Sequence, residues 1–76
     1  MTVRVKVVDR LNRSVAGCVV RVNWGGSSSN ERTSSSGIAD LNCSPGTAKG
    51  VYIDDKQVDS DCYLHDGINS YSHPLK

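Results

Sequence analysis

Seventy-six residues allow one domain and no more, because globular domains usually run to about 100–150 residues and a chain this short sits near the lower limit for folding alone. Nine basic side chains against eight acidic ones leave a formal net charge of +1 with no block of like charge, so the field needed to hold a phosphate backbone is missing and nucleic acid is not an expected partner. Apolar runs stay far below the ~20 residues that span a bilayer, and the N-terminus lacks the basic-then-apolar order of a signal peptide. No membrane partner is therefore expected, and the chain as given reads as cytoplasmic, or as secreted where a leader has been removed.

Thr2 to Val8 predicts a strand with Val3, Val5 and Val7 on one face and Thr2, Arg4 and Lys6 on the other. Asp9 to Ala16 is mostly polar and predicts a long hairpin or a short crossover. Asn12 to Trp24 combines a turn signal with a second strand, in which Cys18, Val20, Val22 and Trp24 share one face while Gly17, Val19, Arg21 and Asn23 share the other. The β-branched side chains there suit a pleated, half-buried surface better than a helix. Gly25 to Asn30 has no side chain able to drive burial and predicts an exposed, mobile connection.

Glu31 to Cys43 predicts a hairpin: a polar arm over residues 31–35, a turn around Ser36 and Gly37, and a second arm with Ala39, Leu41 and Cys43 on one face. Ser44, Pro45 and Gly46 predict a turn, after which Lys49 to Asp54 and Gln57 to Leu64 predict two strands joined near Asp55 and Lys56. A short helix capped by Asp54 or Asp55 is the alternative for the second of these. From His65 onward the chain predicts a turn, an edge strand around Tyr71 and a tail, with residues 66–76 less ordered than the rest. Phenylalanine is absent, so the core is expected to be built mostly from Val, Ile, Leu and Cys.

The order of these elements, with particular residues at their turns, resembles the transthyretin-like, carboxypeptidase-regulatory-like family of small β-sandwiches, which are immunoglobulin-like in architecture. The residues that carry the resemblance are Val15, Gly17, Val20 and Val22, then Thr33, Gly37, Ala39 and Leu41, then Pro45, Gly46, Val51, Tyr52 and Ile53. Asn12 stands where the pattern has glycine, Ser14 where it has proline, Cys18 where it has alanine and Ser34 where it has aspartate. The resemblance implies an all-β sandwich of about six or seven short antiparallel strands and a non-catalytic accessory, adhesive or protein-binding role.

Chemistry-bearing residues are sparse. Cys18, Cys43 and Cys62 have none of the short spacings of metal or redox motifs and fall on faces assigned to the core, where a thiol behaves as a small hydrophobe; whether any two pair is left open. His65 and His73 with Asp59, Asp61 and Asp66 read as turn and surface residues in preference to a metal or proton-transfer site. No serine occupies a nucleophile elbow, and Gly25 with Gly26 lacks the lysine of a phosphate loop. Two N-x-S sequons, at Asn12 and Asn42, read as chance in a serine-rich chain. The expectation is no enzyme and no cofactor.

The surface is the better candidate. Trp24, Ser27, Ser28, Ser29 and Asn30 on one loop, and Ser34 and Ser35 on the next, offer small hydrogen-bonding groups beside one aromatic, although Trp24 is also in phase with the core. The function expected is a stand-alone module that binds a protein partner or itself, as in a homodimer, through loops or an edge strand. The alternative is a small disulfide-held secreted inhibitor or toxin-like effector, which would need Cys43 joined to another cysteine.

Overall fold

The computed structural model describes residues 2–76; Met1, the first residue of the expected single domain, lies outside the described residues. Among those described, seven strands and no helix form two sheets: β1 (Val3–Val8), β2 (Val19–Asn23), β3 (Ser28–Arg32), β4 (Ile38–Asp40), β5 (Gly46–Ile53), β6 (Lys56–Leu64) and β7 (Gly67–Ser72). Sheet A has the order β4-β1-β7 and sheet B the order β3-β2-β5-β6. The chain is an all-β sandwich, as its alternating apolar pattern predicts. The pairing is antiparallel except between β1 and β7, which run parallel, with Val3 opposite Gly67 and Val8 opposite Ser72. The expected wholly antiparallel arrangement gives way there because β6 ends in sheet B and the short turn after it crosses to sheet A, delivering β7 alongside β1 in the same direction.

One core fills the space between the sheets. Val3, Val5 and Val7 from β1, Val20 and Val22 from β2, and Val51 and Ile53 from β5 are wholly buried, with Ala39, Leu41, Ala48 and Leu64 beside them. The period-2 faces read from the sequence are therefore the faces that pack. Trp24, Cys43, Val58, Cys62 and Tyr71 close the rim of this core.

Five sequence expectations are corrected. Gly25 to Asn30 is not a mobile connection: only Gly25 and Gly26 form the turn, and Ser28 to Arg32 pair residue by residue with Asn23 to Val19. An edge strand with a ladder on one side needs no apolar side chain, so the serine run concealed it. Glu31 to Cys43 is not a hairpin, since Arg32 ends in sheet B while Ile38–Asp40 pairs with Lys6–Arg4 in sheet A. The corner between them is pinned by Thr33, which is buried; its hydroxyl donates to the Val15 carbonyl at 2.7 Å and accepts from the Cys18 N–H at 3.1 Å.

The alternative helix after Asp54 is absent, because Asp54 and Asp55 both take positive φ (49° and 66°) and make a two-residue hairpin turn that sets Ile53 opposite Lys56. The strand after Pro45 begins at Gly46 and not at Lys49, since Gly46 already pairs with Leu64. The segment expected as a tail contains β7, the predicted strand around Tyr71, and is followed by the buried His73.

Candidate functional site

The outer face of sheet B is set by the burial of its inner one. Because Val20 and Val22 point inward, Arg21 and Asn23 point out, and the register places Asn30, Arg21 and Tyr52 in one row across three strands and Ser28, Asn23 and Gly50 in the next. Tyr52 leans over Gly50: a Cβ there would lie 3.0 Å from Tyr52 Cε1, so the missing side chain makes room for the ring. On that ring rests the Arg21 guanidinium, its central carbon 4.7 Å from the centroid.

Above this pair the chain turns back through Gly25 and Gly26. The Trp24 N–H donates to the Ser27 carbonyl at 2.8 Å, the Gly25 N–H donates to Asn23 Oδ1 at 2.9 Å, and Gly25 has φ of +99°. The stem of Lys49 lies against the open side of Gly25. Turn and row together enclose an open groove of about 410 Å³, lined by Arg21, Asn23, Tyr52 and residues 25–28.

No carboxylate lines this groove. Among the described residues the ion pairs are Arg4 with Asp40 and Arg13 with Asp9, and Arg21 makes neither an ion pair nor a hydrogen bond. A second depression, along β3, is lined by Val19, Asn30, Glu31 and Arg32.

The sequence-predicted surface residues are separated by this geometry. Ser27 and Ser28 line the groove and Asn30 stands in the Arg21 row. Trp24 is half-buried against the core and donates its indole N–H to Ser29 Oγ at 3.0 Å, so both side chains are engaged internally. Ser34 and Ser35 lie beyond the opposite end of the five-residue β3, roughly 17 Å away at ~3.4 Å per residue, on a tight turn where Ser34 O accepts from the Gly37 N–H and Ser34 Oγ from the Ser36 N–H. Arg21 and Tyr52 are not among the surface residues expected from the sequence, because their proximity depends on the β2–β5 register; the only local signal is that each alternates with core valines and isoleucine.

Two other clusters could be mistaken for chemistry. His73, 5 % exposed, lies 2.7 Å from Asp54 Oδ2 through Nε2, while its Nδ1 accepts the Leu75 N–H at 3.0 Å. An accepting Nδ1 carries no proton, so Nε2 donates to the carboxylate and both ring nitrogens are occupied. A general base needs a lone pair facing its substrate; this one is spent on Leu75. The His73 hydrogen bond, with a further one from the Val19 N–H, holds the Asp54 carboxyl below the usual carboxylate range.

The second cluster is Tyr71, whose hydroxyl donates to Asp59 Oδ2 at 2.8 Å and lies 3.8 Å from Cys62 Sγ. Burial first, then the Asp59 carboxylate, pushes the phenol far up; burial also raises the Cys62 thiol, the reverse of what activates a nucleophile. The three cysteines are free thiols, Cys18 fully buried and the other two half-buried. His65 packs edge-on against Tyr63 and Asp66 caps the Thr2 N–H, so these two do not converge. Among the described residues no group of three or more His, Cys, Asp or Glu side chains is placed to hold a metal ion.

No protein-family model matches the chain, and neither a curated protein nor a solved structure is similar to it.

Proposed function

We propose that the chain is a non-catalytic binding module and that its recognition surface is the outer face of sheet B beside the β2–β3 turn. The observation that carries this reading is Arg21: an arginine held over the Tyr52 ring, with no acidic partner among the described residues, facing a groove whose rim is a hydrogen-bonded glycine turn. A charge held in place without a partner adds little to folding stability, but it lowers the ordering cost of binding. Loops and faces held on a rigid sandwich commonly serve recognition.

The resemblance to transthyretin-like, carboxypeptidase-regulatory-like domains agrees with a binding role, and it is supported by where its residues fall. Gly17 is the turn before β2, Gly37 the turn before β4, and Pro45 the residue before β5.

The test is selection of peptides from a displayed random library on the immobilised chain, with counter-selection on Arg21→Ala and on a variant with Ser27 and Ser28 both replaced by alanine. Enrichment that disappears on both variants supports the groove. Enrichment that survives both moves recognition to another surface and overturns the reading.

A further inference from the structure

The ligand class follows from how Arg21 is held. The Arg21 guanidinium lies over the Tyr52 ring with its central carbon 4.7 Å from the centroid, and its N–H groups form a planar fork that matches a carboxylate. Among the described residues nothing accepts from that fork.

Asn23 adds a second oriented donor. Its Oδ1 is fixed by the Gly25 N–H at 2.9 Å, which leaves the amide NH₂ directed away from the turn, and no acceptor among the described residues meets it. The Ser27 and Ser28 hydroxyls follow along the same rim, and Gly26 presents its backbone with open space around it. Lys49, exposed and packed along Gly25, brings a second positive charge to the border.

Resting on the binding role proposed above, we infer that this groove receives an acidic segment of a protein partner, an extended peptide whose Asp or Glu carboxylate is held bidentately by Arg21 while Asn23 and the serine hydroxyls bond its backbone. Charge complementarity selects this occupant. Two cations at a groove in a chain of net charge +1 suit one or two carboxylates, whereas a nucleic-acid backbone or an anionic membrane surface calls for a longer basic track. The Tyr52 ring, covered by Arg21, is not free to stack a sugar or a base.

The experiment is an amide NMR titration of the full chain with a short end-blocked peptide containing adjacent glutamates, run beside the same peptide with glutamines. Saturable shifts confined to Arg21, Asn23, residues 25–28 and Tyr52, with the glutamine peptide about tenfold weaker or worse, are the expected result. Arg21→Lys, which keeps the charge and loses the fork, is expected to weaken the glutamate peptide by about tenfold, while Lys49→Gln costs less than about threefold.

Equal affinity for the glutamine peptide, or full affinity in Arg21→Lys, overturns the carboxylate receptor and leaves the groove as a binding surface. Shifts centred on Ser34 and Ser35 or on β7 overturn both the inference and the groove. Inorganic phosphate or phosphatidylserine vesicles binding the same residues more tightly than the peptide overturns the assignment of the partner as protein.

Discussion

Gly37 shows how much one residue can decide. Its φ is +75°, and a Cβ built on it would lie 2.9 Å from the Val7 carbonyl oxygen and 2.9 Å from Ser14 Cβ, because the turn before β4 presses on the chain leaving β1. Gly17 has the same φ but open space around it, and Gly26 has open space and no such backbone demand. Alanine at the three positions therefore separates backbone strain from crowding. Gly37→Ala is expected to lose about 2 kcal/mol or more, Gly17→Ala about 1, and Gly26→Ala less than about 0.5, read from urea unfolding. Equal losses at residues 37 and 17 would mean that the close contacts relax without cost. The glycine-bearing turn motif was visible in the sequence; the contact that makes Gly37 the costly one was not, since Val7 and Ser14 are remote in the chain.

At the scale of elements, the end of the chain is held by a clamp between the sheets. Asp54 in the β5–β6 turn accepts the Val19 N–H at the start of β2 and bonds His73 just past β7, while Lys76 O accepts the Arg10 N–H at 3.1 Å. Asp54 has its carboxyl depressed from 3.8, first by the His73 hydrogen bond and then by the Val19 N–H. Asp59 is depressed first by the Tyr71 hydroxyl, and Asp9 first by the Arg13 backbone N–H. A carboxyl whose folded pKa lies below its unfolded one contributes stability that is present above the unfolded value and is lost as pH falls through the folded one. Stability is accordingly expected to fall from about pH 4 downward, and Asp54→Asn to flatten that decline, as measured by denaturant midpoints across the window. An unchanged acid slope in the variant would assign the decline to Asp59 and Asp9.

For the whole molecule, the question is association through sheet edges. The Cα radius of gyration is 11.0 Å against about 11 Å expected for a compact chain of this length, so the described residues close on themselves. Of the four edges, β4 has three residues, β6 is interrupted by Asp61 at φ 47°, and β3 is short and polar, ending in Glu31 and Arg32. Only β7 is long and regular. Gly67 and His73 donate inward to Thr2 and Val8, so strand alternation turns the Ile68 and Ser70 N–H groups outward, and Ile68 is 54 % exposed. The expected mass by light scattering is that of the 8.2 kDa monomer at micromolar concentration. A dimer would identify β7 pairing if Ser70→Pro, which removes an outward donor and spares the β1 ladder, returns it to monomer, and would refute edge pairing at β7 if it does not.

Composition, period-2 alternation and turn residues by themselves determined the all-β class and which faces of β1, β2 and β5 pack, because a strand's two faces are written in alternate residues. The turn at Gly25 and Gly26 is not among these: the sequence predicts a mobile connection over Gly25 to Asn30, and the pairing of Ser28 to Arg32 with β2 corrects it. Only the tertiary structure decided which strand joins which sheet, since Ser34 to Gly37 reads as a hairpin whether or not its arms pair, and the buried Thr33 corner sends them apart. The candidate site belongs to the same class of fact. Arg21 and Tyr52 lie thirty-one positions apart, and what brings them together is the β2–β5 register that sets one directly across from the other. Register is an agreement between strands, and no single strand contains it.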